Sequence, residues 1–176
     1  MSTRTKAPPV QRASKRAAAG VDADAKSLRI ARILVPTDFS EESKGAIRYA
    51  TRLAETFGAS IHLAYVIDSL GDLKDAEVVP WNADSAQATV VMQRKLAELA
   101  NEQIGELVPV YPHVVASQAV KGIIALARSS SCDLIIISTH GRTGVSRALI
   151  DSVAERVVRH AHCPVLVVRT QERDFD

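Results

Sequence analysis

The sequence predicts an α/β protein, an open five-stranded parallel sheet with helices on both faces. Short β-branched apolar runs (RIARILVPT, SIHLAYVID, DLIIIST, PVLVV) alternate with segments of helical period. The segments between them are long enough to carry the crossovers that parallel strands need. No internal repeat and no second domain interrupt this pattern across the 176 residues.

The regular pattern begins near residue 30. Residues 1–29 contain Val10 and Val21 but little else that is apolar and large. They cannot bury enough surface to offset the entropy of ordering, so a disordered basic tail is expected. It carries seven basic and two acidic side chains, a net of +5; with +2 for the whole chain, the remainder carries −3. The folded part, residues 30–170, therefore offers no excess positive charge, and nucleic acid is not an expected partner. Residues 171–176 form a charged end.

Each element has its own signal. RIARILVPT reads as a buried strand ended by Pro36. Ser40 is placed to cap a helix whose first turn holds Glu41 and Glu42. Ile47, Ala50, Leu53, Ala54 and Phe57 recur at helical spacing, and Gly58 stops the helix. SIHLAYVID is the second strand. Leu70 to Ala83, with Pro80, Trp81 and Asn82, has no period and reads as a loop. A long helix is expected over Asp84 to Leu107, with Val91, Leu96, Leu99 and Ile104 on its apolar face. VPVYPHVVAS is a third strand, and Pro109 and Pro112 place it at an edge. VKGIIALARSS is a helix, DLIIIST a strand, SVAERVVRHA a helix, and PVLVV the final strand.

In such sheets ligands bind beyond the carboxyl ends of the strands, where the strand order reverses. Two strand ends are suited to this: PTD (Pro36, Thr37, Asp38) and STHG, which opens the stretch Ser138 to Val158. That second loop places Gly141 and Gly144 between a strand and a helix start, where backbone amides can hold a phosphate. Asp38 can serve the crevice or cap the approach to the first helix.

The segments RILVPTDFSEESKGAIRYA, LAYVID, DLIIISTHGRTGVSR and SVAERVVRHAHCPVLVV together resemble the universal stress protein family, over Arg32 to Val168. The resemblance implies a Rossmann-like fold with strand order 3-2-1-4-5. One branch of that family binds ATP through a G-x-x-G, nine residues, G-S/T loop. Transferred position by position, Pro36, Thr37 and Asp38 lie on the adenosine side and Val66 lines the base pocket. Gly141 is the middle glycine and Ser152 the final hydroxyl residue. Thr139, Arg142, Gly144 and Val153 complete the expected set. The first glycine is replaced by Ser138 and the third by Asp151; Gln118, Ala119 and Val120 stand where the family usually has G-x-P.

Asp151 decides how well ATP, with its Mg²⁺, is held. Ser152-x-x-Glu155 is a capping box, so Asp151 directly precedes the last helix. A phosphate about 5 Å from it would be repelled by roughly 3 kcal/mol at an effective dielectric near 20. A Mg²⁺ shared by carboxylate and phosphate would reverse the sign. Alternatively the carboxylate takes the amide site itself, leaving a nucleotide-independent dimeric interaction module.

Catalysis has little support. No G-x-S-x-G, H-E-x-x-H or complete P-loop is present, and His140 has no assigned partner. Slow nucleotide hydrolysis is the third reading. His160, His162 and Cys163 lack the spacing of common closed zinc sites. Two cysteines, Cys132 and Cys163, make no disulfide framework, and no membrane-length apolar run or secretory leader is seen. A cytoplasmic regulatory protein with a protein partner is expected. The apolar strand Pro164–Val168 at a sheet edge needs protection, and the resemblance implies a homodimer through it.

Overall fold

The computed structural model describes residues 29–67, 84–139 and 153–169. Nine elements alternate along them: β1 (Arg32–Pro36), α1 (Glu41–Phe57), β2 (Ser60–Ile67), α2 (Asp84–Gln103), β3 (Val110–Ala116), α3 (Ala119–Ser129), β4 (Leu134–Ser138), α4 (Val153–His160) and β5 (Val165–Val168). All pairings are parallel, and the sheet order is β3-β2-β1-β4-β5. This is the expected open sheet. The tail over residues 1–28, the loop placed at 70–83 and the charged end 171–176 lie outside the described residues.

Strand alternation builds two cores. Ile33 and Val35 of β1, Ile61 and Leu63 of β2, and Leu134 and Ile136 of β4 pack with α1 and α2. Leu34, Ala64, Ile135 and Ile137, pointing the other way, pack with α3 and α4. Successive side chains of a strand leave on opposite faces, so apolar runs serve both layers at once. Full burial of each large aliphatic side chain contributes about 1.5–3 kcal/mol.

α1 starts and stops as the sequence predicts. Ser40 caps it by accepting the Ser43 N–H, and Gly58, at φ +64°, ends it in the left-handed conformation. Phe57 departs from expectation, standing 45% exposed beside that stop. α2 ends at Gln103, four residues before Leu107, and Gly105 turns the chain with φ +75°. Leu96, Leu99 and Ile104 are buried as expected, whereas Val91 is exposed. At about 100° per residue, Val91 lies roughly 140° around the helix from Leu96, on the solvent side.

β3 forms one edge, where Pro112 is tolerated, and Pro109 directly precedes it. β5 forms the other. At the amino end of the sheet, Asp133 Oδ2 accepts the backbone N–H groups of Ala31 and Arg32, each at 2.9 Å. One carboxylate thus joins chain segments about a hundred residues apart at the start of β1 and β4. No helix of the described residues is long and apolar enough to cross a membrane.

Candidate functional site

The turn from β1 into α1 is held by a hydrogen-bond chain. Ser43 Oγ donates to the Ser40 carbonyl at 2.9 Å, which uses its only proton. The 2.8 Å contact between Thr37 Oγ1 and Ser43 Oγ is therefore donated by Thr37. Thr37 Oγ1 in turn accepts the Phe39 N–H at 3.0 Å. Both hydroxyls are buried, so this pairing removes the cost of two unsatisfied polar groups.

Asp38 follows the end of β1. Its Oδ1 accepts from the Ser40 backbone N–H at 3.0 Å and from Ser40 Oγ. The carboxylate is thereby tied to the residue that caps α1, near the positive end of the helix. Phe39 between them has φ +65°. That conformation is a genuine outlier for a bulky side chain and is held by its surroundings. Its ring packs on Tyr65 with centroids 4.9 Å apart.

The crevice lies where the strand order reverses. β1 pairs with β4 at Ile33↔Leu134 and Leu34↔Ile135, and that register stops short of both strand ends. On the outer sides, β1 stays paired with β2 through Pro36↔Ala64, and β4 with β5 through Ser138↔Val168. Each strand end is thus fixed from outside while the two part from one another. This is the place an open α/β sheet offers to a ligand.

Of the residues expected there, Pro36, Thr37 and Asp38 lie on the β1 side. Ser138 and Thr139 lie on the β4 side, with the Thr139 N–H bonded to the Val168 carbonyl at 3.1 Å. Val66 lies near the end of β2 and packs against the α3/α4 core. Val153 is exposed at the start of α4. Gly141, Arg142, Gly144, Asp151, Ser152 and His140 lie outside the described residues.

Several contributors carry little signal in the sequence. Phe39, Ser40 and Ser43 appeared only as part of a helix start, because hydroxyl pairing across a turn has no periodic signature. Gly122 did carry a signal, since an isolated glycine inside a helical pattern suggests close packing. A Cβ there would stand 3.1 Å from Val66 Cγ1 and 3.2 Å from Ser117 Cβ. In the HAHC segment, His160 Nδ1 donates to the Arg156 carbonyl at 2.8 Å, at the carboxyl end of α4. Among the described residues no three His, Cys, Asp or Glu side chains are grouped to hold a metal.

The model of the universal stress protein family matches residues 29–169. The chain belongs to the universal stress protein family. A universal stress protein of Methanocaldococcus jannaschii is 31% identical over 143 residues, covering 81% of this chain and 84% of the relative. Among solved structures, a family protein from Burkholderia pseudomallei matches with a TM-score of 0.57 at 25% identity, over 81% of this chain and 97% of its own. A universal stress protein solved in complex with cAMP matches with a TM-score of 0.59 at 20% identity, over 81% of this chain and 99% of its own. The likeness to that complex is one of fold.

Proposed function

We propose that this universal stress protein is a regulatory homodimer that binds an adenine nucleotide in the crevice between β1 and β4, without turning it over at a useful rate. The supporting observation is the parting of those two strand ends with Asp38 fixed at the rim. A carboxylate held by Ser40 is pre-oriented to accept a hydrogen bond from a ribose hydroxyl or an exocyclic amine. A protein of the same fold solved with cAMP is consistent with such a ligand. Arg142, Gly141, Gly144 and the Ser152–Val153 helix start are proposed for the phosphates. The C-terminal strand Pro164–Val168 is proposed to pair with its copy, and the cytoplasm is the proposed compartment.

Calorimetric titration of the purified protein with ATP, with and without Mg²⁺, tests the proposal. Saturable micromolar binding is expected, stronger with Mg²⁺ if Asp151 shares the ion. An absence of binding up to millimolar ATP would reject the nucleotide site and favour the interaction module closed by Asp151.

A further inference from the structure

On the opposite side of the sheet from α1 and α2, at the β2–β3 edge, two imidazoles meet. His62 Nδ1 and His113 Nε2 are 3.0 Å apart, in rings inclined by only 11° with centroids at 5.1 Å. Nearly coplanar rings whose nitrogens face each other form an N–H···N bond, in which one nitrogen donates and the other accepts. Both residues are part-buried, and the Tyr111 ring flanks His62 with centroids 5.1 Å apart. Cross-strand pairs of this kind are the unit of sheet stabilisation, and among the described residues β3, an edge strand, pairs within the sheet with β2 alone.

We propose that His62 and His113 form a proton-operated clasp that holds β3 on β2 at neutral pH and loosens that edge in acid. The shared nitrogens accommodate one bridging proton. A first added proton goes to one of the outer nitrogens and leaves the bridge intact. A second makes both imidazoles double donors, so two N–H groups and two positive charges face each other and the bond is lost.

The surroundings reinforce this direction. Burial, then His113, then Arg32 on β1 lower the affinity of His62 for a proton, and burial lowers that of His113. Neither β2 nor β3 carries a carboxylate that could stabilise imidazolium. Asp133, at the start of β4, uses Oδ2 on the Ala31 and Arg32 backbone. Tyr111 beside the pair adds an aromatic ring and no carboxylate. α3, packed on β2 from this side, carries the cations Lys121 and Arg128. α2 packs on the other face of β3.

With folded-state values below the ordinary imidazole value of about 6.5, the unfolded chain binds more protons as pH falls. Edge stability is therefore full above that value and declines as pH falls through it towards the folded-state values.

Amide hydrogen exchange of the full chain at pH 7.5 and 5.0, corrected for intrinsic rates, reads the clasp directly. Amides of β3 are expected to lose about tenfold in protection in acid, while β4 amides keep theirs. In His113→Gln the amide still bonds His62 but takes up no proton, so the acid loss is expected to shrink to the part that burial and Arg32 impose on His62 alone. Equal β3 protection at both pH values, or the same loss in His113→Gln, would overturn the proposal. Imidazole proton shifts in the wild-type chain give an independent check: two separate titrations at the ordinary value would also overturn it.

Discussion

Gly122 of α3 lies against Val66 of β2 so closely that one added methyl group would reach 3.1 Å from Val66 Cγ1. Ser117 Cβ, at 3.2 Å, is fixed by its own backbone and cannot rotate away. Alanine would gain about 1 kcal/mol of helix propensity at this position. Overpacking typically costs 1–3 kcal/mol. Gly122→Ala is therefore expected to lower stability by about 1 kcal/mol in urea unfolding, and Gly122→Val by more. A stabilised Gly122→Ala protein would mean that α3 lifts freely from β2.

Asp133, just before β4, ties the start of β1 to it through one carboxylate oxygen. Removing its carboxylate leaves the Ala31 and Arg32 N–H groups to water or to nothing. Asp133→Ala is expected to cost about 1–2 kcal/mol, and Asp133→Asn less, because one acceptor oxygen remains. Chemical denaturation of the two variants side by side checks the order.

Cys132 is buried in the α3/α4 core, and burial, the neighbouring Cys163 and Asp133 push its thiol up to about 11 against the lowering effect of Arg32. Cys163 is raised as well, first by burial, but it is partly exposed. Since the thiolate is the nucleophile, iodoacetamide at neutral pH is expected to modify Cys163 first and Cys132 only on unfolding. Peptide mass mapping over time would show the order, and equal rates would contradict it.

Asp151→Gly is expected to tighten ATP binding by at least tenfold, since roughly 3 kcal/mol of repulsion before screening would be relieved. Unchanged affinity would mean that the carboxylate does not face the phosphates or is neutralised by Mg²⁺.

Leu166 is 37% exposed on β5, the edge proposed to pair with its copy. Two copies of Leu166→Glu would bring like charges into that pairing, so sedimentation is expected to change from dimer to monomer. A variant that sediments as the wild type would place the contact elsewhere.

The sequence by itself determined the order and type of the elements, because each carries a local pattern. β-branched runs, a capped helical period, Gly58 as a stop and prolines at and just before an edge strand are all physical constraints within a few residues. The Val91 and Leu107 expectations failed for the same reason. Local hydrophobicity does not say which side of a helix meets the sheet, nor that Gly105 will adopt a left-handed turn.

Tertiary structure alone decided what joins distant segments. Asp133 reaches Ala31 and Arg32, and His62 meets His113, only because parallel pairing brings those segments together. Strand register also settled where β1 and β4 part, and so where the crevice opens. Periodicity reports burial along a chain; partners a hundred residues apart are chosen by packing.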